Sequence, residues 1–162
     1  MRSLSLCALF ALTSLGCSKS EPAVSPAAPA PAAAAPVAKN AEAPRPTIED
    51  NTFKLVLSGD PAYEAGKPGA AKLVLEARGG YHVNQDYPIR VDLKAPAGVK
   101  LTKASLSRPD AAQFGEHSAE FALPFEAGQG AHALTATVDF AVCTAETCVP
   151  DQRTVALDLN VR

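Results

Sequence analysis

Residues 133–143 read ALTATVDFAVC, and this stretch decides the fold class. Its even-numbered residues, from Leu134 to Val142, are apolar, and most of the residues between them are small or polar. Alternation of this kind is typical of a β-strand that buries one face, because successive side chains point to opposite sides. The stretch therefore predicts a long strand whose even-numbered side chains face the core.

Shorter strand patterns recur on both sides of this stretch and are separated by turn signals rich in Gly, Pro, Asn and Asp. The last pattern covers residues 154–161 and points Val155, Leu157, Leu159 and Val161 inward. The others cover residues 52–58, 71–77, 81–84, 89–94, 99–106 and 121–125. Pro124 assigns the last of these to a sheet edge or a bulge. About eight short strands without helical periodicity predict an all-β fold, an antiparallel immunoglobulin-like sandwich.

The amino-terminal segment has the pattern of a targeting signal. Arg2 precedes an apolar run over residues 4–15, which is too short to cross a bilayer and is typical of a cleavable signal peptide. The run ends in SLGC at residues 14–17, which resembles the lipobox of bacterial lipoproteins, although that pattern has Leu in place of Ser14. We expect a signal peptide over residues 1–17 with Cys17 lipidated; an ordinary signal peptide cut elsewhere is the alternative.

Residues 18–46 are mostly Ala and Pro. Repeated Pro prevents a continuous helix and favours extended polyproline II, and the segment has no apolar face whose burial could offset the entropy of ordering. We therefore expect a disordered tether that reaches up to about 90 Å from the membrane. The single folded domain is expected over residues 47–162, facing the periplasm from a lipid anchor in the cell envelope.

Charge and composition exclude several classes of function. The net charge is −2, Lys and Arg form no basic stripe, and Trp is absent, so nucleic-acid binding is not predicted. A zinc site at the cysteines would need further ligands from His82, His117 or His132, which form no closely spaced pair. We predict neither a metal site nor a cofactor.

The chain has four cysteines, of which Cys7 lies in the signal peptide and Cys17 is the lipidation site. Cys143 and Cys148 remain as a pair in an oxidising compartment. Cys143 has outward parity at the end of its strand, so we expect the pair to be presented at a loop. A disulfide that closes so short a loop contributes only about 2 kcal/mol to stability in the chain-entropy model. Spacing alone leaves redox exchange, a structural disulfide and zinc binding open.

The sequence around this pair resembles the amino-terminal periplasmic domain of the DsbD family of thiol:disulfide interchange proteins. The matching residues are GYHV at 80–83, QFG at 113–115, LPF at 123–125, VDFAVC at 138–143 and CVP at 148–150. The resemblance covers roughly residues 53–161. Its most specific part is Cys-Xaa4-Cys-Xaa-Pro after a β-strand.

The resemblance implies an immunoglobulin-like fold and a redox role for Cys143 and Cys148, which would cycle between dithiol and disulfide. It implies that Cys148 forms the mixed disulfide with a partner, and that Phe114, with Tyr81, caps the pair. An ordinary core position is the alternative for Phe114, and His82 is expected to be exposed without a role.

The resemblance also implies the partners. The family relays electrons to periplasmic thioredoxin-like or disulfide isomerase proteins. The family protein continues into a membrane-spanning electron carrier and a thioredoxin-like domain, whereas this chain stops at Arg162, so we expect a separate membrane electron donor. The predicted function is therefore a lipid-anchored thiol:disulfide exchange module that relays two electrons. The alternative is a non-enzymatic binding or adaptor lipoprotein whose cysteine pair is a structural disulfide.

Overall fold

The computed structural model describes residues 44–162, and its regular structure is almost entirely β-strand. The strands are β1 (Thr47–Glu49), β2 (Phe53–Ser58), β3 (Pro68–Ala77), β4 (His82–Val83), β5 (Arg90–Lys94), β6 (Val99–Leu101), β7 (Ser105–Ser107), β8 (Gln113–Phe114), β9 (Ser118–Ala127), β10 (Gly130–Cys143) and β11 (Cys148–Val161). A 3₁₀ turn at Arg108–Asp110 follows β7. Within this part of the chain, no helix has the length and apolar character needed to cross a bilayer.

The strands form two antiparallel sheets. The first sheet has the order β1-β2-β3-β9-β6, and β8 also pairs with β9. The second sheet has the order β11-β10-β5-β7, and β4 pairs with the end of β10. This arrangement confirms the predicted all-β class, an antiparallel immunoglobulin-like sandwich.

The core lies between the two sheets and is built from alternate residues of the long strands. The even-numbered residues of β10 are buried as predicted: Leu134, Ala136, Val138, Phe140 and Val142. Phe140 meets Phe53 of the other sheet edge to face, with ring centroids 4.8 Å apart. On β11, Val155, Leu159 and Val161 are buried as predicted, whereas Leu157 is only partly buried.

The prediction of one strand over residues 99–106 is wrong. β6 pairs with β9 in the first sheet, whereas β7 pairs with β5 in the second. The chain changes sheets between Thr102, whose N–H donates to the Pro124 carbonyl, and Ala104, whose carbonyl accepts from Leu93. The residues therefore belong to two short strands on opposite sides of the core.

The structure also differs from the sequence prediction in the number and length of strands. It has eleven strands in the described part of the chain, and β1 and β8 were not predicted. These two strands contain three and two residues, which is too short to leave an alternating pattern. The last strand begins at Cys148 instead of at residue 154, so β10 and β11 form a hairpin with fourteen residues on each side.

Pro124 lies inside β9, an interior strand, and not at a sheet edge or a bulge. Its register with Ala70 of β3 is continuous with the neighbouring pairs. Because its carbonyl accepts the Thr102 N–H at 3.3 Å, its backbone polar groups face away from β3. On that side Pro124 lies between the segments of β9 that pair with β8 and with β6. The missing N–H therefore removes no ladder hydrogen bond.

The last residues of the predicted tether contact the domain. Arg45 forms a parallel bridge with Val155, and its carbonyl accepts the Ala156 N–H at 3.0 Å. The Pro46 carbonyl accepts the Leu57 N–H at 2.7 Å. The predicted signal peptide, with its lipidation site at Cys17, and the rest of the predicted tether lie outside the described residues.

Candidate functional site

A disulfide joins the facing ends of the two longest strands. Cys143 ends β10, Cys148 begins β11, and the two are direct partners in the register with Cα atoms 4.0 Å apart. In the connecting loop, the Thr144 N–H donates to the Thr147 carbonyl at 2.8 Å. Thr144 Oγ1 accepts the N–H groups of Glu146 and Thr147 at 3.3 and 3.2 Å. The pair therefore sits on an ordered hairpin end, and the expectation that Cys148 lies in the loop is wrong.

The two cysteines differ in burial. Cys143 is only 2% exposed, whereas Cys148 is exposed to solvent. Cys143 does have the outward parity that the sequence predicted, but the outer face of β10 is covered at this end, since Ala141 is also buried. The expectation that both cysteines are presented at a loop is therefore wrong for Cys143. Exchange requires access to the attacked sulfur, so the exposed Cys148 is the expected point of attack by an incoming thiol.

β4 lies beside Cys143 on the other side of β10. The chain reaches it through a turn at Gly79 and Gly80, with φ of 62° and 81°. A side chain at Gly79 would place its Cβ 2.5 Å from the Asn51 carbonyl oxygen, so this turn requires glycine. In the register of β4 with β10, His82 is the direct partner of Cys143. His82 is half-buried, which corrects the expectation that it is exposed.

Asn84, the residue after β4, contacts both sulfur atoms. Its Nδ2 donates to Cys143 Sγ at 3.2 Å and lies 3.6 Å from Cys148 Sγ. Its Oδ1 accepts the N–H groups of Asp86 and Tyr87 at 2.8 and 3.2 Å, which forms an Asx turn and fixes the carboxamide. The Asn84 N–H donates to the Ala141 carbonyl at 2.9 Å.

Asn84 is the site residue that sequence reasoning missed. Its place before Gln-Asp-Tyr-Pro is a turn signal. Asn84 lies 59 residues before Cys143 along the chain, so no local pattern could indicate its contact with the sulfur.

The predicted cap residue Phe114 lies on β8, which pairs with β9. The hairpin that follows Phe114 is attached to β4, because the Val83 N–H donates to the Glu116 carbonyl at 2.7 Å. The guanidinium carbon of Arg108 lies 5.1 Å from the centroid of the Phe114 ring, and Arg108 Nη1 donates to the Gln85 carbonyl at 2.8 Å. Arg108 therefore links Phe114 to the loop that begins at Asn84.

The turn that carries Arg108 is held by Asp110. The carboxylate of Asp110 accepts two hydrogen bonds from Lys103 Nζ, at 2.6 and 2.7 Å, and one from the Ser107 N–H at 3.0 Å. The hydrogen bond from Lys103 is the main cause of a lowered pKa of Asp110. Its carboxylate therefore remains ionised at neutral pH and closes the turn that precedes β8, the strand that contains Phe114.

Phe114 and Tyr81 are both half-buried and pack against the core. Their role as a cap over the disulfide stays a prediction. The described residues contain no group of three or more His, Cys, Asp or Glu side chains placed to hold a metal ion.

If Phe114 caps the pair as predicted, we expect Phe114→Ala to increase severalfold the rate at which glutathione reduces the Cys143–Cys148 disulfide, because loss of the ring would open the sulfurs to small thiols. The half-buried position of Phe114 should let the variant fold. The rate of glutathione reduction and the melting temperature of the oxidised protein are measured together. An unchanged rate with a lowered melting temperature would assign Phe114 to the core.

Comparisons with known proteins add one clear match. The family model for "Thiol:disulfide interchange protein DsbD, N-terminal" matches residues 54–160. The comparison with curated protein sequences gave no match.

Two solved structures cover a large part of the chain at low similarity. The GAE domain of GGA2p from Saccharomyces cerevisiae is 9% identical with a TM-score of 0.43, covering 70% of this chain and 96% of that one. AggA, the major subunit of aggregative adherence fimbriae type I from Escherichia coli, is 12% identical with a TM-score of 0.35, covering 70% of this chain and 98% of that one. Both TM-scores are too low to support an argument about fold or function.

Proposed function

Because the chain belongs to the family of DsbD amino-terminal domains, we propose that it is a periplasmic thiol:disulfide exchange module whose Cys143–Cys148 pair relays two electrons. One observation carries the proposal. The disulfide joins an exposed cysteine to a buried one at the end of a fixed hairpin. This asymmetry gives the two cysteines different roles in exchange.

The exchange begins when a thiolate of a donor dithiol protein attacks Cys148 Sγ. A new S–S bond forms to Cys148, the bond to Cys143 breaks, and its electron pair goes to Cys143 Sγ, which leaves as a thiolate and takes up a proton. The donor's second thiol then attacks the donor's first sulfur, which is bonded to Cys148 in the mixed disulfide, and Cys148 is released as a thiol. The donor ends as a disulfide, and this domain ends as a dithiol that has gained two electrons and two protons.

The reduced pair passes its electrons on by the reverse chemistry. The Cys148 thiolate attacks a disulfide in a periplasmic thioredoxin-like or isomerase protein, and Cys143 resolves the mixed disulfide by attacking Cys148 Sγ. A membrane reductase is the proposed electron donor. The domain itself holds the two sulfurs in position and leaves Cys148 accessible to partners.

A membrane anchor at Cys17 completes the proposal. The apolar run and the Ser14-to-Cys17 sequence support lipidation at this cysteine. The Ala/Pro-rich segment would then act as a spacer between the membrane and the domain. Such a spacer allows the exposed Cys148 to reach partners both in the membrane and in the periplasm.

The direct test of the proposed exchange is to mix the oxidised domain with a reduced thioredoxin-like protein and count its free thiols by alkylation and mass spectrometry. We expect two thiols to appear in the domain as the donor becomes oxidised. A control donor whose cysteines are replaced by serine should not reduce the domain. If the pair stays oxidised in the presence of excess reduced donor, the result would favour the alternative, an adaptor lipoprotein whose disulfide is structural.

A further inference from the structure

We propose that Asn84 is a catalytic residue of the exchange reaction, in which its carboxamide N–H stabilises the thiolate that leaves from Cys143. The inference rests on the proposed function and assigns a role that the sequence pattern did not indicate. Asn84 Nδ2 is 3.2 Å from Cys143 Sγ and 3.6 Å from Cys148 Sγ. The donor is therefore already in place at the atom that receives the electron pair.

Burial of Cys143 makes such a donor necessary. When Cys148 Sγ is attacked, negative charge develops on the sulfur of Cys143, a residue that is only 2% exposed in the folded domain. Removal from water disfavours the charged form of a thiol and would slow its departure. A hydrogen bond to the developing thiolate offsets this cost, and such bonds are stronger when the acceptor carries charge. The carboxamide therefore contributes more to the transition state than to the disulfide ground state.

The carboxamide is held in position before the reaction. Oδ1 accepts the N–H groups of Asp86 and Tyr87, which leaves the Nδ2 group pointing at the sulfurs. The Asn84 backbone is also fixed, because its N–H donates to the Ala141 carbonyl of β10. A donor that needs no reorientation stabilises developing charge at little cost. The two ends of the carboxamide thus have separate tasks, positioning at Oδ1 and stabilisation at Nδ2.

This division allows the two tasks to be tested apart. Asn84→Asp keeps an oxygen that accepts from Asp86 and Tyr87 but removes the N–H donor, whereas Asn84→Ala removes the donor without adding a charge. Asn160→Asp makes the same charge change on an exposed residue near the other end of β11 and serves as the control. His82 is the direct strand partner of Cys143, so the rates of all variants are measured at one and the same pH.

The measurement is the rate constant for reduction of the oxidised domain by dithiothreitol, together with the titration of the Cys143 thiol in a reduced Cys148→Ser background. We expect reduction to be about tenfold slower in Asn84→Asp and Asn84→Ala, the effect expected from loss of a hydrogen bond to a charged group. The thiol should titrate at higher pH in both variants, and Asn160→Asp should behave as wild type. Melting temperatures show whether each variant is folded.

Three results would overturn the inference. If both Asn84 variants were reduced at the wild-type rate, the role of Asn84 would be limited to the turn. Slower reduction in Asn84→Asp only would assign the effect to the added charge, and slower reduction without a change in thiol titration would exclude a stabilised thiolate. Failure of the wild-type domain to exchange with a dithiol protein would contradict the proposed function instead, so the two proposals fail separately.

Discussion

Replacing Cys143 with serine is expected to trap a covalent complex between Cys148 and a partner protein. The exposed Cys148 can still form a mixed disulfide, but the domain then lacks the thiol that would attack Cys148 Sγ and release the partner. Serine is close to cysteine in size, and its hydroxyl would lie near Asn84 Nδ2, so the buried polar group keeps a hydrogen-bond partner. The complex should change from a transient species to a major form of the protein.

The matched control is Cys148→Ser, which leaves only the buried Cys143 thiol. This variant should trap far less partner, because the thiol of a cysteine that is only 2% exposed is poorly accessible to a partner disulfide. Both variants are expressed in cells that contain the partner reductases and are analysed by electrophoresis with and without dithiothreitol. Equal trapping by the two variants would contradict the assigned order of attack, and no adduct in either would favour the structural disulfide.

Replacing Cys17 with alanine is expected to move nearly all of the protein from the membrane fraction to the soluble fraction. An acyl chain holds a protein at the membrane by burying CH₂ groups at about 0.8 kcal/mol each, so several chains on one cysteine make a stable anchor. The described domain offers little apolar surface of its own. Among the large hydrophobic side chains that the structure describes, Val149 alone is exposed, at 40%. Loss of the lipid should therefore remove most of the membrane affinity.

The control for this experiment is Cys7→Ala, which changes a cysteine of the same signal region but leaves Cys17 in place. It should remain in the membrane fraction and carry the lipid by mass spectrometry. If Cys17→Ala remains bound after a carbonate wash, the anchor lies elsewhere and the lipoprotein assignment is wrong.

The long hairpin shows how much of the fold could be predicted from sequence. Even-numbered residues of β10 alternate with small or polar ones, and this local pattern correctly predicted which side chains enter the core. Elements without a local pattern were not predictable in this way. β8 has two residues and depends on its pairing with Ala119 and Glu120 of β9, and the sheet change after β6 depends on a contact with Pro124.

The candidate site was predictable to a similar extent. The spacing of Cys143 and Cys148, with the family resemblance, correctly indicated a disulfide between these two residues, but not that Cys148 begins the last strand. The burial of Cys143 could not be predicted from parity, because it depends on the tertiary contacts of its outward-facing side chain, among them the contact of its sulfur with Asn84. The unequal exposure of the two cysteines is thus a property of the fold, and the proposed mechanism depends on it.

The reduction potential of the Cys143–Cys148 couple tests the central claim most directly. It is measured by equilibrating the soluble domain in dithiothreitol or glutathione redox buffers and trapping the free thiols by alkylation. Structural disulfides of secreted proteins have potentials below about −300 mV, because the exchange pools of the compartment must not reduce them. A relay predicts a potential well above that value, within reach of a dithiol donor. A potential below it, with no exchange on the timescale of the protein reductants, would contradict the account and assign the pair to structure.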